Sequence, residues 1–211
     1  MRSIALLLIA SLSFMSVSAQ QDTKAKSILD KLSAKTKAYK TVKADFQFIM
    51  VNKADGTNES QSGSISIKGE SYNLSISGQT IISDGESMWT VIKDAEEVQI
   101  AEIDEEEEDA ISPSKIFTIY EEGFKYKYVK EDAGMHIINL YPKDAADRAY
   151  HRIALYINKA KNQISKVKVY GKDGTVTTYK IKTFTPNATI PASKFTFNKA
   201  NYPKYEIIDL R

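Results

Sequence analysis

His136 and His151 are the only imidazoles in a chain of 211 residues that has no cysteine, so nucleophilic, redox or transition-metal chemistry would have to start from them. Neither stands in a metal-ligand spacing or beside a nucleophile motif. Each lies inside an alternating apolar run, "MHIINLY" or "YHRIALYI", and reads as an ordinary strand residue. The acidic run "DEEEED", 104 to 109, lacks the ligand spacing and central glycine of a calcium-binding loop and reads as solvated. "GKDGT", 171 to 175, has two glycines but reads as a hairpin turn rather than a phosphate loop. "FKYKYVK", 124 to 130, interleaves lysines with aromatics as a nucleic-acid stacking platform does. The same alternation describes a half-buried strand with a lysine-bearing outer face, and that is the reading adopted. The sequence thus assigns no catalytic residue, metal ligand or cofactor, and it points away from an enzyme and from nucleic acid.

What remains is apolar surface. Phe46, Phe48 and Met50, Ile65 and Ile67, Tyr72, Leu74 and Ile76, and Trp89 and Val91 recur with period two and are expected on one apolar face of successive strands. For the pattern alone, an ordinary packed core is the favoured reading. If instead the sheet curls without closing and is not filled, the concavity is a lipid site.

The elements that must position these residues follow from periodicity. "TKAKSILDKLSAKTKAY", 23 to 39, places Ile28, Leu29, Leu32 and Tyr39 near one stripe and predicts an amphipathic helix. Residues 42 to 51 then alternate as a strand, and short strand-like runs follow at 60 to 68, 72 to 77, 79 to 83, 87 to 92 and 97 to 103. A second series runs 124 to 130, 135 to 141, 150 to 158, 163 to 170 and 175 to 184, making eleven candidates in all. Spacing this tight predicts an antiparallel meander, since parallel crossovers need a dozen or more residues. Asp84 and Gly85, in "IISDGESMWTVI", are expected to form a structural turn. Between the two series, "SPSKIFTIYEEG" offers Ser112 as an N-cap, Pro113 at the first helical position and Gly123 as a stop. The helix so predicted carries Ile116, Phe117, Ile119 and Tyr120, too apolar for a solvated element.

Arg2, the apolar core "IALLLIASLSFM" and the small residues before Gln20 read as an export signal over residues 1–19, cleaved near Ala19/Gln20. Residues 20–211 are then expected to form one domain. Formal charge is uneven: residues 20 to 109 carry 10 Lys+Arg against 18 Asp+Glu, and residues 110 to 211 carry 18 against 9. The halves either neutralise each other across one sheet or make a dipolar molecule that can be steered in docking.

The amphipathic helix followed by "ADFQF" (44 to 48), "SGSISIKG" (62 to 69), "IISDGESMWTV" (81 to 91), "SPSKIFTI" (112 to 119), "KDGTVTTYKI" (172 to 181) and "SKFTFN" (193 to 198) resembles the periplasmic outer-membrane lipoprotein carrier family, LolA, in a divergent branch. The resemblance implies a mainly β fold, an unclosed half-barrel of about 11 antiparallel strands with helices as a lid over an apolar cavity. It implies a monomeric periplasmic carrier of acylated lipoproteins, loaded by an ATP-driven inner-membrane exporter and unloaded by an outer-membrane acceptor. The residues named above, with Trp89, Ile116, Phe117 and Ile119, match the family's acyl-cavity positions in kind. Many members have Arg-Pro after the second strand, an arginine that holds the empty cavity shut. Here Gly69-Glu70 stands there, and a neighbour such as Lys68 would replace it only as a point charge. The missing arginine motivates an alternative on the same scaffold, a lipid-binding sensor or regulator.

Overall fold

In the computed structural model, residues 22–103, 119–121 and 123–211 are described. The expected export signal, the acidic run at 104 to 109 and residues 112 to 118 of the expected mid-chain helix, with Ile116 and Phe117, lie outside them. Helix α1, Thr23–Lys37, starts at Asp22, whose Oδ1 accepts the N–H groups of Lys24 and Ala25, both at 3.0 Å. Ala25, Leu29 and Leu32 fall on one stripe and are buried, while Lys35 and Lys37 occupy the last turn, where cations suit the negative end of the helix.

Twelve strands follow: β1 (Val42–Asn52), β2 (Thr57–Lys68), β3 (Ser71–Ile76), β4 (Gln79–Ser83), β5 (Ser87–Ile92), β6 (Glu97–Glu102), β7 (Phe124–Asp132), β8 (Met135–Pro142), β9 (Tyr150–Asn158), β10 (Gln163–Gly171), β11 (Val176–Pro186) and β12 (Glu206–Asp209). They form one sheet in the order β12-β6-β5-β4-β3-β2-β1-β11-β10-β9-β8-β7, whose ends do not meet. The fold is therefore mainly β, an open half-barrel with a helix against its concave side. Eleven strands coincide with the expected runs. The twelfth corrects the all-antiparallel expectation: Glu206–Asp209 pairs parallel to β6, Ile207 opposite Val98.

Turn chemistry sets these registers. Between β4 and β5, Asp84 Oδ1 accepts the N–H groups of Glu86 and Ser87 at 3.0 and 2.9 Å, and Gly85 takes a φ of +106°. Gly171 to Thr175 close the β10–β11 hairpin, the Gly171 N–H donating to the Thr175 carbonyl at 2.8 Å.

The two sheet edges are managed differently. Asp22 Oδ2 accepts the N–H of Tyr128 at 2.8 Å, so one carboxylate caps α1 and occupies a donor of the outermost strand, β7. Those contacts hold the Asp22 carboxyl below its ordinary value of 3.8, the N–H of Ala25 contributing most. A carboxyl whose folded value is depressed contributes stability that is present above the unfolded value and lost as pH falls through the folded one. Urea denaturation should therefore show a loss of stability below about pH 4 that is smaller in Asp22→Asn, which still caps but does not titrate. At neutral pH, Asp22→Ala should cost about 1–2 kcal/mol by the same measurement.

Candidate functional site

Residues directly opposite one another on paired strands share a face, so the register assigns every side chain of the sheet to one side. On β1, Val42, Ala44, Phe46, Phe48 and Met50 face one way, and their partners extend the set across β2 to Ile65 and Ile67. It continues over β3 through Tyr72, Leu74 and Ile76, over β4 through Ile81, and over β5 through Met88, Thr90 and Ile92. In the other direction Phe48 is opposite Tyr179 of β11, and that row runs on through Val167, Leu155 and Ile138 to Tyr128. This is the face on which α1 packs, hence the concave side.

Its two halves differ. Over β7–β10 it is filled: Ala25, Leu29 and Leu32 of α1 meet Tyr126, Ile138, Leu140, Ile153, Leu155, Ile157 and Ile164, all buried. Ile119 packs against this cluster. Around it, Glu121 accepts hydrogen bonds from Ser33 Oγ and from Lys37 Nζ, the latter at 2.7 Å, and the Lys37 bond, then the Ser33 bond, hold its carboxyl below the ordinary range. Tyr120, buried beside α1, has its phenol pushed up to about 12, chiefly by that burial.

Over β1–β5 the concave face is different in kind. Phe46, Ile67 and Tyr72 are buried, but Phe48, Met50, Ile65, Leu74, Ile76, Ile81 and Met88 are only half-buried. The Phe46 ring lies across Gly63, where a Cβ would come within 2.5 Å of its Cζ, so glycine is needed for that close approach. Tyr179 packs against Phe46 and Phe48 at ring separations of 6.1 and 5.5 Å. Burial pushes the phenols of Tyr179 and Tyr72 upward, so both stay neutral donors at physiological pH. Gln61, opposite Phe48 on the same face, carries a buried Oε1 with no partner. The face is thus a broad apolar floor with a few neutral polar atoms.

Eight residues expected from sequence meet on it: Phe46, Phe48, Met50, Ile65, Ile67, Tyr72, Leu74 and Ile76. Two expected there do not. Trp89 pairs with Ile82, and Val91 with Thr80, which puts both on the convex side. There they are covered by the segment after β11, whose 3-10 turn Ala192–Phe195 buries Phe195 against β3 and β4. Asn73 Nδ2 donates to the Lys194 carbonyl at 3.0 Å. Phe197 stacks on Trp89 at 6.1 Å, followed by Tyr202 and Tyr205 at 5.5 and 5.2 Å. Trp89 is therefore a docking point for the C-terminal segment. Ile81, Met88 and Ile92 take the concave positions instead; their apolar type is visible in the sequence, but β4 and β5 are apolar on both sides. Lys68, alternating with Ile67, also faces the convex side, away from α1.

His136 is a half-buried strand residue beside Tyr128, its Nδ1 3.4 Å from the phenolic oxygen, and burial lowers its pKa. Among the described residues no group of acidic or imidazole side chains could hold a metal ion. Among them, too, no helix is long and apolar enough to cross a membrane.

A curled open sheet with one concave half sealed by a helix and the other half-buried and apolar defines a scaffold of the lipid-holding class. The chain belongs to the outer membrane lipoprotein carrier protein LolA family, whose sequence profile matches residues 37–198. Among solved structures, an uncharacterized conserved protein from Thermus thermophilus is similar at 12% identity over 89% of this chain and 99% of that one, with a TM-score of 0.57. A LolA superfamily protein from Nitrosomonas europaea aligns at 13% identity over 82% and 97%, TM-score 0.45. The lipoprotein LppX from Mycobacterium tuberculosis aligns at 10% over 81% and 99%, TM-score 0.48. Among curated proteins none matches by sequence. At such identity the likeness is one of fold.

Because Trp89 is the chain's single tryptophan and lies on the convex side, its emission should not change when an apolar probe occupies the concave face. Trp89→Ala should leave probe affinity within about twofold while lowering stability by about 2–3 kcal/mol in urea, through loss of its contact with Phe197.

Proposed function

We propose that the protein is a periplasmic carrier that holds the acyl chains of lipoproteins against the concave face of β1–β5, receiving them from an ATP-driven inner-membrane exporter and passing them to an outer-membrane acceptor. The observation that supports this most directly is the contiguous half-buried floor of Phe48, Met50, Ile65, Leu74, Ile76 and Ile81. A packed core leaves no such surface, whereas a carrier requires one.

The energetics fit. Burying a methylene is worth about 0.8 kcal/mol, so two or three long acyl chains represent tens of kcal/mol relative to water and need an escort. The escort must also let go, which favours a shallow floor over a deep pocket. Met50 and Met88 suit chains of no fixed shape, because thioether side chains repack readily. The neutral phenols and the Gln61 amide give an ester or amide headgroup linkage something to bond without charging the floor. The work needs neither catalysis nor a cofactor, and one copy of the chain suffices.

Native mass spectrometry of the exported protein purified from the cell envelope should show bound lipid or acylated protein, and the purified protein should release lipoproteins from spheroplasts. Phe48→Asp places a carboxylate in the floor and should lower loading at least about tenfold while circular dichroism stays native. Depletion should strand lipoproteins in the inner membrane. If it changes gene expression and leaves their localisation intact, a sensor on the same scaffold is the right description instead.

A further inference from the structure

The uneven charge of the chain is also uneven in space. Strands β1–β6 come from residues up to Glu102 and β7–β11 from Phe124 onward, while α1 packs on the β7–β10 half and the segment after β11 on the other. On the convex side of β7–β11 the register gathers Lys125 and Lys127 of β7, Arg152 of β9, Lys166 and Lys168 of β10, and Lys180 of β11. Lys180 is directly opposite Lys166, a like-charge pairing that costs stability. Among the described residues none of these six forms an ion pair with a carboxylate, whereas Lys130, opposite Ile137 on the same face, pairs with Asp132 at 3.4 Å. Two are held by rings instead: Lys166 Nζ lies 3.7 Å over Tyr156, and the Arg152 guanidinium 3.8 Å over Tyr170, with its Nε buried and unpartnered. Burial, then Lys168 and Lys180, depress the Lys166 amine. Helix α1 occupies the opposite side and the C-terminal segment the other half.

We propose that this convex cationic face is a docking surface for an anionic phospholipid bilayer, its lysines and arginine meeting headgroup phosphates. The grid spans four strand spacings, roughly 19 Å, its cations set around Tyr156, Ala154 and Ile137 of the same face. Protein–protein interfaces deplete lysine from their cores and concentrate energy in a few buried anchors, so this pattern fits them poorly. A bilayer surface presents mobile phosphates that rearrange under dispersed cations, each strengthening attachment roughly fivefold, with tyrosines suited to the headgroup layer. Such attachment is reversible and salt-dependent. It lies on the side of the sheet away from the acyl-binding floor, so it stands whether or not that floor carries lipoproteins.

The test is sedimentation of the mature protein with vesicles of phosphatidylcholine alone and of an equal mixture with phosphatidylglycerol, at about 0.05 M and about 0.5 M salt. Binding should be confined to the anionic vesicles and be lost at high salt. Lys127→Gln/Lys166→Gln/Lys168→Gln should weaken it roughly 100-fold, while binding of a fluorescent fatty acid, an independent readout of the concave face, is unchanged. Charge reversal at Lys127 alone gives a second, milder variant whose fold is verified by circular dichroism. Equal binding to both vesicle types, no binding to either, or binding that the variants retain would overturn the proposal. So would loss, in the variants, of an acidic protein partner while vesicle binding persists.

Discussion

Strand β1 pairs with β2 on one side and with β11 on the other, and every other feature of the molecule depends on that double pairing. Two meanders remote in sequence become one sheet only there, and the alternation of β1 is imposed on both. Once Phe46 and Phe48 face inward, the ladder obliges Ile65, Leu74 and Ile81 to follow on one side and Tyr179, Val167 and Leu155 on the other. The irregularity between Asp45 and Phe46 breaks the register with β11 but keeps Ala44 opposite Phe184 and Phe46 opposite Ile181, so the inner face stays continuous.

The coverings are arranged diagonally about that central strand. Helix α1 seals the concave side of β7–β10, and the segment after β11 seals the convex side of the opposite half. Among the described residues each half keeps one face without such a covering: an apolar floor on one, a cationic convex surface on the other. A fully wrapped sheet of this size would be more stable and would bind nothing. Asp22, which caps α1 and accepts the Tyr128 N–H, ties the helix to the β7 edge of its half.

Much of this is legible in the sequence, and the failures have physical causes. Helix α1 and eleven strands announce themselves by period, because each has one face that must be apolar and one that is polar. Alternation puts Trp89 and Val91 on the wrong side because Met88, Trp89, Val91 and Ile92 leave β5 apolar on both faces; only pairing with β4 then decides. Strand β12 escapes because Glu206–Asp209 is four residues long and its partner is remote, so no local turn predicts it. The cationic face is visible as a charge imbalance, but its placement needs the strand order. Gly63 gives no signal at all, since its role is to make room for the Phe46 ring of a neighbouring strand.

Strand β12 also bears on how the molecule assembles. Its pairing of Glu206 with Glu97 closes a loop of roughly a hundred residues, whereas β3 to β6 are hairpin neighbours that can zip locally. Without β12, β6 would be an open edge bearing Val98 and Ile100, a ready template for a second chain. The parallel strand, with the aromatic stack leading to it, ends that exposure.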